Sequence, residues 1–529
     1  MRTNSQGHSL IFTWLSHNPP FTIRRRVLCW AGTLFLTALF AGSTPAASQE
    51  PDTTPVLLTN ARIVDGTGTP PFVGDLLIAD GHIAEVGEQG SINVPPTTVQ
   101  INLAGLVLAP GFIDIHNHST ASIFNDPLAT SQLAQGITTL VVGADGGSPW
   151  PIKDYLSRID NLEPAVDVAT LVGHGTIRAT VLGEEFRRTA TDTEIANMAM
   201  RVERGMREGA FGLSTGLEYD PGFYSSTGEL VALARVAAEY GGFYMSHMRD
   251  EEEGLLSAVD EAIRIGREAG LPVQISHIKA GNASVWGNAP SVLGRIQAAN
   301  DEGLDITADQ YPYTAWQSGL SIVVRSRQFY NADSVAAGIF AAGGGERLQI
   351  IDFDEEPELN GLRLDEIARR KGMSEVEAYI WIMKNGGSGL IGHTMNEKDV
   401  DTFMASRWVM TASDGGIGSA HPRGAGTFPR VLARYVRDRG LITLERAVQR
   451  ATSMPARRLG LTDRGLIRVG ARADLVAFNL ETITDRSTFS AGTRLPVGVS
   501  RVWVHGVEVW ANDATTGARP GRAVRSTNW

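Results

Sequence analysis

Residues 111–119 read GFIDIHNHS, and no other stretch limits the chain so sharply. An apolar run at 106–108 and Ala109-Pro110 lead into it. The stretch has β-strand character, so its side chains alternate between two faces. Phe112, Asp114, His116 and His118 share one parity, and Ile113, Ile115 and Asn117 the other. Two imidazoles one residue apart on a strand point the same way, about 7 Å apart along the backbone, near enough to grip one metal ion. A lone HxH is more often a solvated strand end. Recurrence argues otherwise here, because single histidines and aspartates close other strand-like runs further along.

Length and charge bound the alternatives. With 529 residues the chain exceeds one ordinary domain, but a barrel with a satellite domain fits. It is 43% hydrophobic with 58 glycines, normal for an α/β enzyme with many tight connections. A net charge of −11 argues against nucleic acid as a partner, since phosphate binding needs a basic surface.

Residues 1–48 read as an export signal rather than as part of the fold. Arg24-Arg25-Arg26 precede an apolar stretch at 27–40, and small residues follow up to Ala46-Ala47-Ser48. The apolar run is short for a membrane span, so the expectation is cleavage after Ala47 or Ser48, an uncleaved anchor being the alternative. Paired arginines ahead of Val27 suggest a Tat route beside the ordinary Sec one. The mature chain would be periplasmic or extracellular, with no stable membrane association. Removal of Arg2 and Arg24 to Arg26 takes the net charge from −11 to −15. The only cysteine, Cys29, leaves too, so any metal must sit on His, Asp or Glu.

Both flanks of the mature chain look like short strands, at 49–108 and at 466–529, with Asp80-Gly81 and His505-Gly506 as turns. The centre, 109–465, alternates strand and helix. Strand-like runs at 139–143, 168–173, 209–214, 242–246, 272–276, 305–309 and 409–411 join the histidine-bearing strand to give eight. The helical patterns between them include one at 252–269 with Asp260 and Arg264 spaced i,i+4. The expected fold class is α/β: a (β/α)8 TIM-type barrel with a small β-sandwich domain built from both termini. An insertion at about 321–403, with a helix near 374–384, would cover the site.

Polar residues at the C-terminal strand ends of such a barrel converge on one site. Those ends supply His116, His118, Asp145, His174, His247 in YMSHMRDE, His277 in QISHIKA and Asp414 in TASDGG. Four of these histidines and the two aspartates make a site for one or two metal ions, with nitrogen and oxygen ligands suited to zinc. Asp145 has a competing reading, a turn residue satisfying the amides of Gly146 and Gly147.

At these residues the chain resembles the amidohydrolase superfamily, and more closely its N-acyl-D-amino-acid deacylase branch. GFIDIHNHS carries the superfamily; SHMRDE, SHIKA and HPRGAGTFPRVL carry the branch. The resemblance implies hydrolysis of an amide between an acyl group and a D-amino acid, so the expected partner is a small anionic N-acyl amino acid. It implies one tightly held Zn²⁺ on His247 and His277 and a second, weaker metal position on His116, His118 and Asp414. Asp414 matches the general base, and Lys279, Tyr311 and Arg423 match groups that hold the substrate carboxylate and carbonyl region. Ser318 matches a family serine only with a one-residue shift, and Asp145 stands where the family places a cysteine ligand. His174 is read as facing the substrate carbonyl.

The physical logic stands without the resemblance. A bound divalent metal polarises a carbonyl and brings the pKa of water towards about 7. Asp414 would take the proton and pass it to the leaving amine. A fixed cation, Arg423 or Lys279, would orient an anionic substrate. Two rival enzymes keep the same metal site: a cyclic-amide hydrolase, and a dipeptidase in which Glu218 and Asp220 meet a free substrate amine. A non-catalytic binding protein on the same scaffold would lack the base, yet Asp414 is present. Acyl group, side-chain preference and oligomeric state are left open.

Overall fold

In the computed structural model, which describes residues 54–527, eight parallel strands form the centre. The export signal read at 1–48 lies outside the described residues. The strands are β1 (Phe112–Asp114), β2 (Ile137–Val142), β3 (Asp167–Thr170, continued by Val172–Gly173), β4 (Gly212–Gly216), β5 (Phe243–His247), β6 (Val273–Ile275), β7 (Ile306–Gln310) and β8 (Val409–Thr411). Each pairs in parallel with the next, β7 reaching β8 across the insertion. The ring closes just past the strand ends. The Asp414 amide donates to the His116 carbonyl at 2.9 Å, and the His118 amide donates to the Gly415 carbonyl at 2.7 Å. This is a TIM barrel.

Helices Asp192–Arg207, Thr227–Glu239, Leu255–Ala269 and Ala289–Asp301 lie outside the strands. The first begins with a capping box, Thr191 and Glu194 each bonding the other's backbone amide. Their apolar stripes (Val202, Met206, Leu230, Leu233, Val259, Ile263) pack on Leu140, Val168, Leu213 and Val273 of the strands. Alternate strand positions (Ile113, Val141, Ala169, Met245, Met410) form a second cluster that fills the barrel. The i,i+4 pairing expected between Asp260 and Arg264 does not form. Asp260 meets Arg295 of the next helix at 2.9 Å, and Arg264 turns to Glu268 at 2.6 Å. Exposed pairs of this kind are worth so little that a neighbouring helix easily redirects them.

Strands from both ends of the described chain share one nine-stranded sheet. Val107–Pro110 joins them, parallel to Val56–Ile63 on one side and antiparallel to Leu475–Phe478 on the other. Both dipeptide turns have left-handed backbone, with φ of 49° and 74° at Asp80-Gly81 and 51° and 77° at His505-Gly506. The sheet rolls over until Ile83 reaches Ala471 by a 2.8 Å backbone bond, enclosing Leu58, Leu76, Leu108, Leu475 and Trp503. Between β7 and β8 the insertion builds a three-stranded antiparallel sheet from Trp316–Gly319, Leu348–Ile351 and Gly389–Gly392. It has its own core, including Phe353, Ile367, Tyr379 and Ile382. No helix of the described residues is long and apolar enough to cross a membrane.

A buried charge network joins the barrel to the terminal sheet. The Asp167 carboxylate accepts from Arg464 at 2.6 Å, from His505 Nε2 at 2.9 Å and from the Arg522 amide at 2.9 Å. Burial alone would raise the Asp167 pKa, but Arg464 and His505 outweigh it and hold the carboxyl well below its usual range. A depressed carboxyl pKa contributes stability that is fully present above about pH 4 and is lost as pH falls below it. Arg464→Ala leaves Asp167 buried without its main partner. We predict a loss of about 3–5 kcal/mol, seen as a lower urea midpoint at pH 7. The gap between wild type and variant should narrow below about pH 4.

Candidate metal centre

The strand ends turn abruptly where the polar side chains stand. Asp145, His277 and Asp414 have φ of 54°, 31° and 48°, a region where a non-glycine residue costs about 1–3 kcal/mol unless its surroundings hold it. Two of them are held through their amides: that of His277 donates to Asp309 Oδ1 at 2.7 Å, and that of Asp414 to the His116 carbonyl. The strain aims the three side chains into the mouth of the barrel.

Three groups of ligand atoms result, each spanning no more than 4.8 Å, the third being Glu218, His247 and Glu251. His116, His118, Asp145 and Asp414 make the first; Asp145, His247 and His277 make the second. Asp145 belongs to the first two. Its Oδ2 lies 3.3 Å from His116 Nε2, 3.5 Å from His118 Nε2 and 3.5 Å from His277 Nε2. Asp414 Oδ1 lies 3.0 Å from His118 Nε2 and 3.3 Å from His116 Nε2. The turn reading of Asp145 is not what the structure shows, because the Gly146 amide donates to Ser214 Oγ and the Gly147 amide to the Ala144 carbonyl.

The donor set fits a divalent ion. His116 is fully buried, yet neither ring nitrogen has a hydrogen-bond partner, and Asp145 Oδ1 is likewise buried without one. Such groups are expensive to bury unless something else satisfies them. Imidazole nitrogens with carboxylate oxygens suit zinc and similar metals. The electrostatics agree. Burial would raise the Asp145 carboxyl, but His116 and His277 draw it well below its usual range. Asp414 is drawn down in the same way, first by Arg423 and then by His277 and His116. Burial and Lys279 both oppose a charge on His277, yet Glu251, Asp414 and Asp145 push its pKa up to about 9. The carboxylates thus create a field that draws positive charge into the pocket.

The other sequence-derived residues fall around this centre. Lys279 is buried and paired with Glu251 Oε2 at 2.5 Å and with His277 Nδ1 at 2.7 Å. Arg423, at the start of helix Arg423–Arg430, donates to Asp414 Oδ2 at 2.5 Å and lies 4.7 Å over the Tyr311 ring. Neither cation is a solvated surface charge. Ser318 sits on the insertion strand Trp316–Gly319, its hydroxyl 3.5 Å from that of Tyr219, whose ring packs on His247 at 4.4 Å. His174 stands apart from the three ligand groups. Its Nε2 meets Glu229 at 2.8 Å, and Glu229 also receives Arg178. Three acids escaped the sequence reading as members of the centre: Glu218, Glu251 and Asp309. Glu251 stands four residues after His247, and Asp309 one residue before the end of β7, but nothing in the sequence pairs them with particular imidazoles.

A family model described as "Amidohydrolase family" matches residues 100–510. A D-aminoacylase of Alcaligenes xylosoxydans xylosoxydans is 35% identical over 497 residues, covering 89% of this chain and 98% of that protein. A solved D-aminoacylase structure, a study of its binuclear metal centre with one-metal activation and second-metal attenuation, superposes with a TM-score of 0.81 at 34% identity, over 89% of this chain and 99% of that one. An N-acyl-D-glutamate deacylase from Bordetella bronchiseptica, complexed with zinc and a phosphonate that mimics the tetrahedral intermediate, gives the same TM-score of 0.81 at 34% identity and the same coverage, 89% and 99%.

The sharing of Asp145 between two groups generates a test. Asp145→Ala should retain less divalent metal than wild type after dialysis, and Asp145→Cys should retain it with a shift towards zinc, a thiolate being the softer ligand. Metal analysis of the three dialysed proteins checks this; equal metal in wild type and Asp145→Ala would show that Asp145 is not a ligand.

Proposed function

Because this chain belongs to the amidohydrolase family, we propose that it is a metal-dependent deacylase of N-acyl-D-amino acids, releasing a D-amino acid and a carboxylate. One observation carries the reading: the two ligand groups meet at Asp145, and Arg423 stands beside them on Asp414. Asp145, His247 and His277 would hold one zinc ion, and His116, His118, Asp145 and Asp414 a second divalent ion. A metal bound there polarises a carbonyl and makes water a better nucleophile near neutral pH.

The chain's own residues do the rest. Arg423, buried against Tyr311, offers a bidentate guanidinium to the substrate carboxylate. An arriving carboxylate competes with Asp414 for that guanidinium, so substrate binding frees the Asp414 oxygen to act. Asp414 then takes a proton from water as its oxygen attacks the amide carbon, and returns it to the nitrogen as the carbon–nitrogen bond breaks. Lys279, held by Glu251, stabilises the region around His277. The dipeptidase alternative needs Glu218 and Asp220 free for a substrate amine. Glu218 is engaged with His247 at 3.0 Å, and Asp220 with Arg327 at 3.5 Å, which favours a blocked, N-acylated substrate. The arginine-led apolar stretch and small-residue boundary of 1–48 support action outside the cytoplasm.

Zinc-loaded protein given paired D- and L-N-acetyl amino acids and unblocked dipeptides should release amine fastest from the D-acetyl compounds; faster release from dipeptides would sink the reading. Asp414→Asn keeps the shape but not the base, and its kcat should fall by about 10²- to 10⁴-fold. A fall of less than about tenfold would place the base elsewhere. Arg423→Ala should cost about 1.5–3 kcal/mol in kcat/KM on acids, and little more on the amidated substrate, which wild type itself should turn over poorly.

A further inference from the structure

His116 and His277 each turn one ring nitrogen towards Asp145 and the other towards a carboxylate outside the two groups that meet there, while buried His247 turns one towards His277 and the other towards such a carboxylate. His116 sends Nδ1 towards Asp309 at 3.4 Å, and His277 sends Nδ1 towards Glu251 at 3.0 Å. His247 sends Nδ1 towards His277 at 2.8 Å and Nε2 towards Glu218 at 3.0 Å. His118, the fourth, has its side chain 41% exposed. Asp309 is tied down inside the barrel by Gln274 at 2.8 Å, and Glu251 by Lys279. Glu218 differs, because what holds it comes from the insertion. Arg325 reaches Glu218 Oε1 at 3.4 Å while pairing with Asp250 at 2.6 Å, and Arg327 donates to the Glu218 carbonyl.

We propose that Glu218 is a positioning residue which fixes the His247 ring for metal binding and, through Arg325, couples that ring to the insertion. The inference rests on the metal-dependent reading above. A carboxylate that accepts from Nε2–H leaves the lone pair on Nδ1, the nitrogen that faces His277. It also fixes the ring plane, against which Tyr219 packs at 4.4 Å. Arg325 in turn selects one of the conformations open to an acidic side chain at the rim of the mouth. A displaced insertion would therefore loosen His247 without touching the ion.

Zinc affinity, measured on chelator-stripped protein by competition with a chromophoric chelator, tests this in wild type, Glu218→Ala, Glu218→Gln and Arg325→Gln. Loss of such a partner typically weakens a metal about 10- to 100-fold, and Glu218→Ala should do so for the tighter ion without lowering the melting temperature of the metal-free protein. Glu218→Gln still offers an oxygen to Nε2–H and should recover most of the affinity. Arg325→Gln should show a smaller loss of the same kind, and the Co²⁺ absorption spectrum of both Glu218→Ala and Arg325→Gln should move. Arg325 is 40% exposed, so Arg325→Gln carries the test if Glu218→Ala melts early; wild-type affinity and spectrum there would overturn the proposal. Wild type that binds zinc while Glu218→Ala binds it as tightly overturns this inference alone. Wild type that takes up no zinc overturns the metal-dependent reading and the inference with it.

Discussion

The barrel closes through the residues that carry its chemistry. The last hydrogen bonds between β8 and β1 run from Asp414 to His116 and from His118 to Gly415. Closure of the eight-stranded ring and assembly of the first ligand group are therefore one event. A barrel that failed to close would separate residues almost 300 positions apart in the chain, such as His118 and Asp414. The β domain is tied to that seam: Gly111, which leads into β1, donates its amide at 2.7 Å to the carbonyl of Asp474, just before the terminal-sheet strand Leu475–Phe478.

Charge is the second constraint. Within the mouth, Asp145, Asp414, Glu218, Glu251 and Asp309 face His116, His118, His247, His277, Lys279 and Arg423, nearly all of them buried. Asp414, Glu218 and Glu251 are each held by an arginine or a lysine and Asp309 by amides, whereas Asp145 touches three imidazoles. Such a cluster is costly to bury unless every member is satisfied, and the nitrogens of His116, without hydrogen-bond partners, mark a position that an added cation would complete. As a ligand, a carboxylate at 145 would be harder than the thiolate that the resemblance suggests there, would suit harder divalent ions such as Mn²⁺ better, and would leave no oxidisable group.

Several residues were legible as types but not as neighbours. Arg423 was readable as a cation in a motif, yet its bond to Asp414, nine residues away across a tight turn, depends on where helix Arg423–Arg430 begins. Lys279 was readable as a basic residue near His277, but its burial against Glu251 follows from the packing of β5 on β6. His174 closes β3 as its spacing suggests, and then pairs with Glu229 because helix Thr227–Glu239 brings that acid beneath it.

By itself the sequence determined the alternation of strand and helix, the terminal β segments with their left-handed turns, and the set of residues at the strand ends. These are local properties: periodicity, turn chemistry and residue type act within a few positions. Pairing was decided only by the tertiary structure. Asp145 joins two ligand groups, Glu218 stands behind His247, and Arg325 descends on Glu218 from an insertion whose sequence says nothing of where it docks. The reason is geometric. Ligand distances of a few ångströms are set by barrel closure and by the backbone strain at Asp145, His277 and Asp414, and both are properties of the closed ring rather than of any one segment.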